Sequence, residues 1–172
     1  DNGTLSEMTG TDDGVTWTGT YTPKDDYISF YNRLTLNGAW TDKAGNDGPQ
    51  ISTKNFTVDT RPPSVKAFTM TNIPLRYEET SKVTLTFSEP VAGFDSDDIT
   101  ADNGTLSEMT IEDDGVTWTG TYTPKENHTS SGNRLTLNGA WTDTAGNTGP
   151  QISTTLPFTI DTIQPSVNSF IM

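Results

Sequence analysis

The chain has 172 residues, only 30% of them hydrophobic, and its net charge of −13 excludes nucleic acid as a natural partner, because phosphate backbones require a basic surface. The same charge disfavours anionic membrane surfaces, and no apolar run is long enough for direct membrane insertion. The absence of cysteine removes disulfides, thiol catalysis and cysteine-ligated zinc together.

Taken in order along the chain, residues 1–53 return at 102–154 with 43 of 53 positions identical. After one extra residue near Pro157, Phe56-Thr57-Val58-Asp59-Thr60 matches Phe158-Thr159-Ile160-Asp161-Thr162. A period near 100 residues suits one small domain per repeat. The expected division is therefore residues 1–61 as the back part of a repeat truncated at its start, 62–162 as a complete repeat, and 163–172 as the first strand of a following one. Within the complete repeat, period-2 alternation and turn residues predict seven strands. Strand A is Ser64–Met70, B is Lys82–Glu89 and C is Asp98–Ala101. The Asn103-Gly104 turn leads into D at Thr105–Thr110. E is Val116–Pro124, F is Asn133–Thr142 and G is Ile152–Asp161. No stretch has the 3.6-residue period of an amphipathic helix. The fold class expected is all-β, with tandem Ig-like β-sandwich repeats of about 100 residues and seven strands each. Pro62-Pro63 and Gln164-Pro165 open successive repeats, and proline stiffens those borders.

In such a sandwich the B–C, D–E and F–G loops share the end at which strand A begins. Glu89, Asp95, Asp97 and Asp98 arrive there from B–C, Glu112, Asp113 and Asp114 from D–E, and Asp143 with Asn147 from F–G. Asp59, at the end of the preceding repeat's last strand, is delivered to the same border. Carboxylates at that density repel one another. Hard oxygen donors in number suit Ca²⁺, which takes six to eight of them in a flexible geometry. The candidate ligands are Asp59, Glu89, Asp95, Asp97 and Asp143, with Asp42 and Asp161 as their repeat equivalents. The competing reading is a solvated acidic rim that keeps a long polymer soluble.

The residues that carry a family resemblance run through most of the period. They are Leu85-Thr86-Phe87-Ser88-Glu89-Pro90-Val91, Gly93-Phe94-Asp95 with Asp97-Asp98-Ile99, Asn103-Gly104-Thr105-Leu106-Ser107, Gly115-Val116-Thr117-Trp118-Thr119, Tyr122-Thr123-Pro124, Thr142-Asp143 with Ala145-Gly146-Asn147, and Val58-Asp59-Thr60 at the border. Their order resembles the bacterial Ig-like repeats of giant surface adhesins exported by type I secretion. The resemblance implies an extracellular stalk module on the bacterial cell surface or secreted from it, often stiffened by calcium, that supports adhesion or biofilm formation. Its partners would be neighbouring repeats of the same chain, with host-surface or biofilm components met through other domains.

No nucleophile–base pair, phosphate loop or zinc-protease pattern is present, so an enzyme is not expected. One stretch departs from the repeat: Tyr27, Ile28, Phe30 and Tyr31 become His128, Thr129, Ser131 and Gly132. Tyr27, Phe30 and Tyr31 then have two readings, as contacts packed against the next repeat or as a ligand-contacting loop. The rival functions are accordingly a glycan- or host-protein-binding module, and a spacer in a large secreted enzyme or phage fibre.

Overall fold

A computed structural model describes residues 2–12, 14–154 and 156–172, in two units, Asp1–Arg61 and Pro62–Met172. Threonine and aromatic residues, both strand-favouring, set the local structure throughout. The first unit contains β1 (Gly3–Leu5), β2 (Thr9–Gly10), β3 (Trp17–Thr18), β4 (Tyr21–Pro23), β5 (Ile28–Asn32), β6 (Thr35–Leu36), β7 (Ile51–Ser52) and β8 (Phe56–Asp59). These associate only as antiparallel pairs, β1 with β4, β2 with β3, β5 with β8 and β6 with β7. Among its described residues Val58 is the one buried large hydrophobic side chain.

The second unit is a two-layer sandwich. Its strands are β9 (Val65–Met70), β10 (Leu75–Arg76), β11 (Ser81–Phe87), β12 (Val91–Ala92), β13 (Ile99–Ala101), β14 (Gly104–Leu106), β15 (Thr110–Ile111), β16 (Thr117–Pro124), β17 (Thr129–Asn133), β18 (Leu135–Leu137), β19 (Thr142–Asp143), β20 (Ile152–Ser153) and β21 (Phe158–Asp161). One layer runs β14-β16-β11-β9, with β15 also on β16. The other is built from β10-β21-β17, β13-β18-β20 and the pair β12-β19. Along β11 the alternation is complete: Ser81, Val83, Leu85 and Phe87 are buried, and the residues between them are not. Val83, Leu85 and Phe87 meet Phe68, Tyr122, Leu135, Leu137, Trp141 and Ile160 in one core. Trp141 lies with its ring centroid 4.6 Å from that of Phe87, which in turn meets Phe94 edge-on at 5.3 Å. Each fully buried side chain of this size contributes about 1.5–3 kcal/mol of transfer free energy, so the core supplies the stability that a chain without disulfides needs.

The all-β sandwich agrees with the sequence reading, and strands A, B and E correspond closely to β9, β11 and β16. The details differ in several places, among them β12, which lies between the strands read as B and C. Strand D divides into β14 and β15, while F and G each break into shorter pieces. β17 occupies part of what was read as the E–F loop, as β5 does in the first copy. β10, unpredicted, pairs with β21 as the second unit's parallel ladder, Leu75 opposite Ile160 and Arg76 opposite Asp161. The registers also orient the unit. β9 begins with Val65 opposite Phe87, and β21 ends with Asp161 opposite Thr129, beside the turn that follows β16. The strands thus enter and leave the sandwich at opposite ends. No helix is long and apolar enough to cross a membrane among the described residues.

Candidate metal-binding carboxylates

Asp143 closes β19 and anchors the loop that follows. Its Oδ1 accepts hydrogen bonds from the backbone N–H groups of Ala145 at 2.8 Å and Asn147 at 2.9 Å, and its Oδ2 accepts one from the Asn147 side-chain amide at 2.8 Å. Gly146 takes the left-handed φ of 94° that lets the chain double back, returning Asn147 O to the Asp143 N–H at 3.0 Å. Asp143 is only 1% exposed. Burial pushes its carboxyl up, but the donors from Asn147, Ala145 and Gly146 outweigh burial and hold it below the usual carboxylate range. The loop therefore fixes a buried negative charge in place.

Pairing of β12 with β19 sets Val91 opposite Asp143, and Glu89 stands two residues before Val91. One carboxylate oxygen of Glu89 and one of Asp143 lie within 4.8 Å of each other. Two anions at that separation repel unless a cation or proton lies with them. Their spacing fits two oxygens shared by one ion, because Ca²⁺–oxygen distances of about 2.3–2.6 Å put neighbouring ligands within about 5 Å.

Asp95 and Asp97 are placed differently. Asp95 caps the 3-10 turn Ser96–Asp98: its Oδ1 accepts from the Asp97 N–H at 2.8 Å, while its own N–H donates to Asp98 Oδ2 at 3.1 Å. Asp95 and Asp97 are exposed, and neither belongs to the close carboxylate group among the described residues. Sequence reasoning missed this reciprocal cap, although an acid at the cap and another three residues on is its signature. Asp42 repeats the Asp143 loop in the first unit, accepting from Ala44, Asn46 and the Asn46 amide at 2.8–2.9 Å. The Asn46 side chain is the leading cause of its lowered pKa. Asp59 ends β8 and accepts from the Arg61 N–H at 3.1 Å. Asp161 ends β21 and accepts from the Thr129 hydroxyl at 3.0 Å and the Ile163 N–H at 3.3 Å.

In the divergent stretch, Tyr27 is half-buried with the Lys24 ammonium 5.8 Å from its ring centre. Phe30 and Tyr31 stand at the register shift of β5, where they are 66% and 82% exposed.

Comparison with known proteins gives a match to the bacterial Ig-like domain over residues 1–58 and a second over residues 59–160. No curated protein and no solved structure matches the chain. Domains of this kind are typical of bacterial surface proteins and usually non-catalytic. Two consecutive matches, the near-identical repeat and the sandwich topology together show that the chain belongs to the bacterial Ig-like domain family, as a tandem array.

Proposed function

We propose that the chain is a structural extender of a bacterial cell-surface adhesin, and that Glu89 and Asp143, joined by Asp59 from the repeat before, hold a calcium ion at the border between repeats. The observation that carries this reading is the Glu89–Asp143 pair, whose oxygens lie within 4.8 Å while the Asp143 loop keeps its charge buried and oriented. Asp59 stands three residues before Pro62, so the chain delivers a third carboxylate at the border with no spacer. A divalent ion there would neutralise three acids and link consecutive repeats, stiffening an array whose work is to hold a distal domain away from the cell. Extracellular localisation fits this use, since calcium is abundant outside the cell. Partners of the extender itself are its neighbouring repeats; host or biofilm components would be met by other domains.

Thermal melting with calcium and with excess chelator tests the proposal. Calcium should raise the midpoint by several degrees, on the order of 1–3 kcal/mol of ligand stabilisation near saturation, and Glu89→Gln should abolish the rise. An unchanged midpoint in excess chelator sinks it.

The exposure of Phe30 and Tyr31 favours a second reading, in which this stretch binds a glycan or a host protein, since exposed aromatics anchor such contacts. Glycan-array or pull-down signal lost in the Phe30→Ser/Tyr31→Ser variant would support it; no signal from the intact chain would remove it.

A further inference from the structure

The second unit carries one reactive dipeptide twice, Asn103-Gly104 and Asn138-Gly139, under opposite degrees of restraint. Asparagine before glycine is chemically labile, because the glycine nitrogen, with no Cβ beside it, can reach the asparagine side-chain carbonyl carbon. Asn103 is held against that reaction. Its side-chain amide donates to Asn133 Oδ1 at 2.7 Å and to Ser130 Oγ at 3.3 Å, and its backbone oxygen accepts from the Lys125 N–H at 2.8 Å. Asn133 is 2% exposed and fixed by its own bond to Phe158 O, so the Asn103 amide cannot turn without breaking a buried network. Asn138 has no such hold. Its backbone N–H donates to Asp98 O at 2.8 Å, but among the described residues its side-chain amide has no hydrogen-bond partner, and neither has the Gly139 N–H. The dipeptide lies between β18 and β19, with Asn138 half-buried and Gly139 open to water.

We propose that Asn138 is a self-modifying site that converts to isoaspartate in the folded chain. The Gly139 nitrogen attacks Asn138 Cγ and forms a cyclic imide, and the side-chain NH2 leaves as ammonia with the proton lost from the Gly139 nitrogen. Water then opens the imide at either carbonyl, giving aspartate or isoaspartate. The balance is one water taken up and one ammonia released, with no oxidant or reductant. Isoaspartate routes the main chain through the former side chain and so lengthens the backbone by one carbon. Leu137 and Trp141, both fully buried, anchor the chain on either side, and the Asn138 N–H ties it to Asp98 O. The added carbon therefore falls in a short span fixed at both ends, and the core anchors must shift to admit it. Age thus loosens the second unit from one defined position. The inference is independent of any bound cation.

The test is peptide mapping by mass spectrometry on the full chain, aged folded and aged in urea at neutral and mildly alkaline pH. In the folded chain isoaspartate should accumulate at residue 138 roughly tenfold faster than at residue 103, the factor implied by one or two hydrogen bonds that Asn103 must first break. In urea the two rates should converge, since both sites are then unrestrained. Equal rates in the folded chain, or a faster residue 103, would overturn the assignment. So would an Asn138 that stays intact in the folded chain while it converts in urea. Asn138→Asp separates the new charge from the longer backbone: this variant should melt close to the parent, and the purified isoaspartate form several degrees lower. Equal midpoints for the two would overturn the loosening of the core.

Discussion

Residues 16–23 and 117–124 share one sequence, Thr-Trp-Thr-Gly-Thr-Tyr-Thr-Pro, and adopt different structures. In the second unit the sequence is one continuous eight-residue strand, β16, with β11 along one edge and β14 and β15 along the other. In the first it is two short strands, β3 and β4, with Gly19 and Thr20 outside both. Since propensity is identical, the difference lies in the partner. Ladders on both edges pair the strand with β11 and with β14 and β15, and Tyr122 reaches the core, where its hydroxyl donates to Asp102 O at 2.6 Å. Without β11 the same residues form only hairpin-like pairs, which are marginal in water. In this chain the threonine-rich strand is thus continuous where partners pair along both its edges.

Paired substitutions at equivalent positions can break or sharpen the comparison. The largest effect is expected at Leu137. Leu137→Ala should cost about 2–5 kcal/mol of the second unit's stability, whereas Leu36→Ala should cost less than about 1 kcal/mol because half of that side chain is already in water. Denaturant unfolding with amide exchange resolves the two units, and equal losses would contradict the contrast. Next is Gly149, where an added Cβ would meet the ring of Trp141, just as one at Gly48 would meet Trp40. Trp141 is walled in on all sides and Trp40 is not. Gly149→Ala should therefore cost about 1–3 kcal/mol through overpacking, and Gly48→Ala markedly less, measurable by the same unfolding curves.

The smallest effect is on alkaline stability. Burial, reinforced by the charge of Asp102, pushes the Tyr122 phenol up from 10.0 to about 12. The folded state therefore holds this proton more tightly than the unfolded chain does. The contribution is fully present below pH 10 and is lost as pH rises towards about 12. Melting midpoints should fall across that window alongside delayed phenolate absorbance, and Tyr122→Phe should flatten the slope.

The strands legible in the sequence were those with sustained alternation. Val83, Leu85 and Phe87 announced β11, and the Trp118–Tyr122 pattern announced β16. β10 was not legible, since two residues after Ile73-Pro74 carry no period and its partner is distant in sequence. β17 escaped notice because Thr129, Ser130, Ser131 and Gly132 have no apolar face. Its pairing with β21 rests on the backbone and on Asn133, whose amide donates to Phe158 O at 3.1 Å. At the acidic end, loop topology was enough to bring Glu89 and Asp143 to one place. It could not separate carboxylates that face each other from carboxylates engaged by their own turn, as Asp95 is. That distinction depends on backbone direction over three residues, below the reach of topology.

The parallel pair of β10 and β21 has a consequence for a repeat pulled at both ends. Chain enters at β9 and leaves from β21 at the opposite end of the sandwich, so tension between residues 62 and 161 runs along the strands. The bonds of β9 to β11, and of β21 to β10 and β17, then carry the load in shear and must fail together. A hairpin pulled from one end would instead unzip bond by bond. The topology that builds the core thus also makes the second unit resist stretching along its length.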